Sequence, residues 1–280
     1  MKAAIAETHN VDMDVIVHES IDSTNSWSIQ KCKRGKVLPF ACFAENQTSG
    51  KGRRGKQWLM SAYSNIAMSI SWPYILPRQQ LHLLPLSVAL AVVKTLEEFG
   101  LQQVQIKWPN DVYVQGKKIA GILIETQPIR QKLLEGDVAV NRSIDENQTA
   151  VVIGVGLNYD MSSFVSTVKS NAAEILSGMT DITREMAGQK IDRGLMALIL
   201  LQKVVGICKD FQQNSKQNLD EFRMRYDYCK NNMVEILLDN QETLSGIARG
   251  VNDVAELLVM VDGEVRAFNS AEVSVKTDTQ

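Results

Sequence analysis

Residues 45–58 read Glu-Asn-Gln-Thr-Ser-Gly-Lys-Gly-Arg-Arg-Gly-Lys-Gln-Trp, and no regular element can run through them. Gly50, Gly52 and Gly55 are interleaved with Lys51, Arg53, Arg54 and Lys56, with no hydrophobic period at helix or strand spacing. Glycine admits positive φ and lets a backbone come close to a bound group. Arginine and lysine present charged donors suited to phosphate or carboxylate oxygens. The stretch therefore predicts a loop that can close around a small anion. The plain alternative is a solvated basic loop. Two neighbours favour a site: the apolar run Phe40-Ala41-Cys42-Phe43-Ala44, which reads as a buried strand, and Trp58, a large apolar cap.

Two known phosphate motifs can be set aside. Gly50-x-Gly52-x-x-Gly55 matches the dinucleotide fingerprint in letters, but that fingerprint needs a helix to open at its last glycines. Here Ser61-Ala62-Tyr63-Ser64-Asn65 follows and reads as turn. Gly50-Lys51 is followed by Gly52, where a P-loop requires Ser or Thr.

The rest of the chain supplies a core and a second cluster. Its 280 residues predict one large domain and one small one, and 45% apolar residues suffice for a sizeable core. A net charge of −2 gives no general attraction to nucleic acid or membrane. Cys32, Cys42, Cys208 and Cys229 share no metal-ligand spacing and read as buried thiols in a reducing compartment. With no signal-peptide pattern and no apolar run of membrane-spanning length, the expectation is a cytoplasmic protein.

Residues 1–12 are expected to form a loose leader. Val15-Ile16-Val17 predicts a strand that gives way, at Ser23-Thr24-Asn25, to a helix reaching about Lys33, so hydroxyls at this corner can face a pocket or cap the helix. Strands are expected at 40–45 and 65–72, and a core helix over 80–99 that stops at Gly100. Val104–Lys107 runs into Trp108-Pro109-Asn110-Asp111, and Val112–Val114 and Lys118–Glu125 form a hairpin. Lys107, Asn110 and Asp111 thus sit at a strand end stiffened by Pro109, with Lys118 on the returning strand. A surface salt bridge is the plain reading of a Lys–Asp pair there, but rigid corners suit sites. Residues 127–149 read as a polar excursion, 150–157 as a strand with Gly154 and Gly156, and 159–171 as a Ser-rich flexible stretch. Helices are expected near 172–177, 192–211 and 219–228. From Met233 five short strands predict a small barrel.

Together these segments resemble biotin protein ligases over nearly the whole chain. The resemblance is carried by Ser23-Thr24-Asn25, by Glu45-x-Gln47-Thr48-x-Gly50-Lys51-Gly52-Arg53-Arg54-Gly55-x-x-Trp58, by Lys107-Trp108-Pro109-Asn110-Asp111, by Lys118-x-x-Gly121-Ile122-Leu123-x-Glu125, and by Gly154-x-Gly156-Leu157-Asn158. It implies an α+β fold: a mixed β-sheet with helices packed on it, like class II aminoacyl-tRNA synthetases, over residues 1–230, and an SH3-like barrel over 231–280. It implies that biotin attacks the α-phosphate of ATP with Mg²⁺ present, giving biotinyl-5′-AMP, and that a lysine of a biotin carboxyl carrier protein of acetyl-CoA carboxylase then takes the biotinyl group. By the resemblance, Arg53, Lys118, Lys107 and Asp111 are the catalytic candidates. Biotin would be held by Ser23, Thr24, Asn25, Gln47, Gly50, Lys51, Gly52, Arg53, Trp58, Lys118 and Gly121. The nucleotide would meet Arg53, Arg54, Trp58, Lys107, Asn110 and Asn158. No metal ligands are assigned, Mg²⁺ being expected mainly on the ATP phosphates.

The chain also departs from the pattern. Lys51 stands where some relatives have arginine, so the planar fork contact is lost. No Trp occurs at 159–173 to cover an adenine, leaving Phe164 or Ala172-Ala173 as substitutes. The 22 residues before Ser23 are too few for a helix-turn-helix repressor domain, so no sequence-specific DNA binding is expected. The oligomeric state is left open, a homodimer included. The alternatives weighed are a lipoate–protein ligase of the same fold and a nucleic-acid-binding module using the basic loop. The slightly acidic whole argues against the second.

Overall fold

The computed structural model describes residues 13–36, 38–75, 78–128, 148–163, 177–238, 242–269 and 273–277. The expected leader, most of the 127–149 excursion, the helix near 172–177, and the adenine-side candidates Phe164 and Ala172-Ala173 lie outside the described residues.

A seven-stranded sheet forms the body. Its strands are β1 (Asp14–His18), β2 (Phe40–Ala44), β3 (Asn65–Ile75), β4 (Val104–Lys107), β5 (Asp111–Val114), β6 (Lys117–Pro128) and β7 (Gln148–Asn158), in the order β1-β2-β3-β7-β6-β5-β4. β1 and β2 are parallel and every other neighbour pair is antiparallel, so the sheet is mixed, as expected.

Strand alternation sorts the two faces. Ala41 and Phe43 of β2 and Val151, Ile153 and Val155 of β7 point into the main core. That core is completed by two helices, α2 (Leu84–Glu98), which is apolar almost all round, and the buried stripe of a later helix, α4 (Arg193–Glu221). Phe40, Ala150 and Val152 point the other way, where Cys32, Trp27 and Ile29 of α1 (Thr24–Lys33) cover them. Gly154, Gly156 and Ser69 share this α1 face, and the site develops there.

After a short α3 (Ile182–Glu185), α4 runs unbroken over Arg193–Glu221 and widens into a π turn at Phe222–Tyr226. The sequence predicted two helices parting near 211–219. The polar run Gln212-Gln213-Asn214-Ser215-Lys216-Gln217 lacks an apolar stripe but also lacks Gly and Pro, so nothing in it stops the helix.

The C-terminal strands β8 (Met233–Leu238), β9 (Thr243–Val251), β10 (Leu257–Val261), β11 (Glu264–Phe268) and β12 (Val273–Thr277) form one antiparallel sheet, β11-β10-β9-β8-β12. Its end strands β11 and β12 do not pair, so the expected barrel is an open five-stranded sheet among the described residues. Its inward residues Val234, Ile236, Ala248, Leu257 and Val259 join the same core as the large sheet. The Trp108 indole N–H donates across to Ala255 O at 2.8 Å. Trp108→Phe keeps the packing but orphans that carbonyl; we expect a loss of about 1–2 kcal/mol, read from a denaturant melt.

All four cysteines are free and buried, as expected. Among the described residues no helix is long and apolar enough to cross a membrane.

Candidate active site

Four strands meet on the α1 face in a patch nearly bare of side chains. The register aligns Ser69 of β3 with Gly154 of β7 and Leu123 of β6, and in the next row Ala67, Gly156, Gly121 and Asp111. A Cβ on Gly154 would lie 2.3 Å from Asn25 Oδ1, and one on Gly156 would lie 2.6 Å from Trp58 ring carbons. The glycines are therefore required by what packs on them.

The helix corner forms one wall. Ser23 caps α1, its Oγ accepting from Ser26 N–H at 3.5 Å. Thr24 donates its backbone N–H (2.8 Å) and Oγ1 (3.2 Å) to Gln47 Oε1. Asn25 donates Nδ2 to Glu125 Oε2 at 2.9 Å and to Leu123 O at 3.3 Å. Ser69 Oγ lies 2.7 Å from Thr24 Oγ1 and 2.6 Å from Asn25 Oδ1, joining the two. Ser69 was not singled out in the sequence. Its signal was there: with Ile66, Met68 and Ile70 facing the core, Ser69 and Ser71 fall on the opposite face, yet both are fully buried.

The basic loop is a tight hairpin over this patch. Trp58 N–H donates to Gly50 O (2.9 Å), and Gly52 N–H to Lys56 O (2.7 Å). A Cβ on Gly50 would strike Trp58 O at 2.5 Å, so only glycine fits there. The tip, Arg53–Gly55, is a 3-10 turn with Arg54 in the left-handed region at φ 55°. No long helix opens at Gly55, so neither rejected phosphate motif is present. A cavity of about 620 Å³ is lined by Ser49 to Gln57 together with Leu123 and Glu125. Trp58 lies over Gly156, and its indole nitrogen is buried with no acceptor among the described residues.

Arg53 ties the loop to the second cluster, its Nη1 donating to Asn110 Oδ1 at 3.0 Å. Asn110 is itself pinned by its Nδ2 to Ile122 O at 2.7 Å. Next to it, Asp111 Oδ1 makes an ion pair with Lys118 Nζ at 2.8 Å. A β-bulge between Val112 and Tyr113 shifts the register of β5 against β6. Plain alternation would send Lys118 and Gly121 to opposite faces. With the bulge, Lys118 Nζ comes within 3.1 Å of where a Gly121 Cβ would stand. Lys118 does not line the cavity; it pairs with Asp111, the chain neighbour of the Asn110 that Arg53 contacts. Burial pulls the Arg53 guanidinium below its ordinary pKa, with Asp111 opposing. Burial likewise lowers that of Lys107, Cys229 and Asp111 opposing it and Lys118 and Lys56 adding to it. Both are cations held where charge is costly, so both gain when an anion arrives.

Asn158 is buried, its Nδ2 donating to Thr180 O at 3.0 Å and Lys118 O at 3.4 Å. Lys51, Arg54 and Lys56 are exposed. Among the described residues no group of three or more His, Cys, Asp or Glu could hold a metal ion.

The geometry agrees with what known proteins share with this chain. Residues 17–142 match the model of the Biotin/lipoate A/B protein ligase family. The bifunctional ligase/repressor BirA of Escherichia coli is 28% identical over 263 residues, covering 94% of this chain and 74% of that protein. The biotin–[acetyl-CoA-carboxylase] ligase of Mycobacterium tuberculosis is 26% identical over 266 residues, covering 93% and 88%. A biotin protein ligase of Aquifex aeolicus, solved in complex with biotin and ATP, superposes with a TM-score of 0.72 at 23% identity, over 95% of this chain and 99% of that one; this likeness speaks for the fold. Domain match, relatives and architecture point the same way: over residues 17–142 the chain matches the biotin/lipoate A/B protein ligase family, and over nearly its whole length it is similar to biotin protein ligases.

Proposed function

We propose that the chain is an ATP-dependent biotin–protein ligase. The observation that carries this reading is the Arg53–Asn110 bond, which seats a glycine-rich cationic hairpin beside the Lys107, Lys118 and Asp111 cluster. Two anions must meet in the first half-reaction, and preorganised cations offset their repulsion. A biotin carboxylate oxygen attacks the α-phosphorus of ATP. The bond from that phosphorus to the bridging oxygen breaks, and pyrophosphate leaves. Arg53 and Lys118 neutralise the carboxylate and α-phosphate; Lys107 and Arg54 take phosphate oxygens. In the second half-reaction the amine of an acceptor lysine attacks the acyl carbon, AMP leaves, and Asp111 positions the amine or receives its proton.

Biotin's ureido ring needs matched donors and acceptors in a mostly apolar pocket. Thr24, Asn25, Gln47 and the backbone at Gly50 and Gly121 are assigned that work, with Trp58 covering the ring; Lys51 and Gly52 line its mouth, and Ser23 orients the corner as the helix cap. Asn158 serves the nucleotide side by fixing the backbone of Lys118. Mg²⁺ is assigned to the phosphates of ATP, where it spreads their charge. The acceptor is a biotin carboxyl carrier domain, a reading supported by the acetyl-CoA carboxylase in the name of the Mycobacterium tuberculosis relative. In this reading residues 1–230 are the catalytic domain and 231–280 the small C-terminal one, and the free buried thiols support a cytoplasmic setting. A lipoate–protein ligase is the rival within the family. The test offers ATP, a carrier domain and either biotin or lipoic acid, and weighs the carrier. A gain of one biotinyl group, with none from lipoic acid, is expected; lipoylation alone refutes the reading.

A further inference from the structure

Lys107 is a half-buried cation with an unusual partner. The β4–β5 register sets it directly opposite Asp111, the obvious counter-ion. Asp111 instead pairs with Lys118. Among the described residues no carboxylate lies within ion-pair distance of Lys107. Its ammonium rests 5.3 Å from the centroid of the Tyr113 ring, its diagonal neighbour on the same face. Tyr113 is fixed in turn: its ring stacks on Tyr228 at 5.1 Å between centroids and 25° between planes. Tyr228 is anchored by its N–H to Ile106 O at 3.0 Å, on the strand that carries Lys107.

We infer that Tyr113 is a positioning residue for nucleotide binding, its ring face holding the Lys107 ammonium in place while leaving that ammonium free of any competing carboxylate. The inference rests on the ligase reading, which puts Lys107 on the triphosphate. A carboxylate partner would have to be displaced before Lys107 could meet phosphate oxygens. A ring face steadies a cation through its quadrupole and takes none of its three N–H donors. The Lys118–Asp111 pair serves the acyl side; the Lys107–Tyr113–Tyr228 stack serves the polyphosphate side. Tyr228 sits at the approach to β8, so the stack also ties the nucleotide side to the segment leading into the C-terminal sheet.

The test is steady-state, biotin-dependent pyrophosphate release by the full chain, with ATP and biotin varied separately. Tyr113→Phe keeps the ring and is expected to match the unaltered protein. Tyr113→Leu is expected to raise KM for ATP on the order of 10-fold while KM for biotin stays put. Mono-, di- and trifluorophenylalanine at position 113 drain the ring quadrupole with little change of shape, which keeps the test usable if the Leu variant does not fold. KM for ATP should climb with each fluorine. A KM for ATP that is flat across the fluorinated series, or that rises equally for biotin, overturns the inference. The unaltered chain is run alongside: no biotin-dependent release from it overturns the ligase reading and this inference with it, whereas normal release with an unresponsive ATP KM overturns this inference alone.

Discussion

Lys118→Ala is expected to slow biotin-dependent pyrophosphate release by about 100- to 1000-fold, the usual cost of removing one preorganised group that meets developing charge. The lysine stands at the bulge in β5–β6, paired with Asp111 and touching the bare patch at Gly121. Both partners of the pair keep about a quarter of their side-chain surface in solvent, so the loss of stability should stay on the order of 1 kcal/mol. The variant therefore separates chemistry from folding: a near-normal thermal melt with turnover all but gone. Lys118→Arg should recover little, because the guanidinium fork does not fit where a compact ammonium sits against Gly121. Turnover unchanged in Lys118→Ala would remove Lys118 from the site.

Gly154→Ala is expected to act on stability and biotin affinity together. The added methyl would overlap Asn25 Oδ1, and Asn25 is held by Ser69, Leu123 O and Glu125. Moving it breaks up to three hydrogen bonds in a buried setting, at about 1 kcal/mol each or more where a group is left unpaired. A fall of about 2–4 kcal/mol in a denaturant melt is expected, with biotin binding weakened at least 10-fold in calorimetry. Gly206, in contrast, has open space around it, and alanine there should cost nothing measurable. If Gly154→Ala binds biotin normally, the glycine row is not part of the pocket.

Much of this was legible in the residues, and the limits have physical causes. The α2 stripe, the β2 and β7 runs and the cation-glycine loop are local patterns that tertiary contacts only reinforce. The resemblance gave the order of the site segments. Local pattern did not reveal that Lys118 reaches the Gly121 face, because a bulge reverses alternation without leaving a mark in the sequence. Nor did it single out Ser69, whose role appears only when α1 packs across β3. The sequence predicts a helix break near 211–219 that the structure lacks, because a polar surface turn of a long helix resembles a linker by composition alone. Ser23 at a strand-to-helix corner suits both a cap and a pocket hydroxyl; its Oγ caps.

The central claim is that the loop cations and the Trp108-Pro109 corner jointly force two anionic reactants together. Its most direct measurement is pyrophosphate release from ATP with and without biotin, together with the mass of the small-molecule product. Release that requires biotin and yields biotinyl-adenylate is the predicted result; ATP cleavage indifferent to biotin, or no adenylate at all, would contradict it.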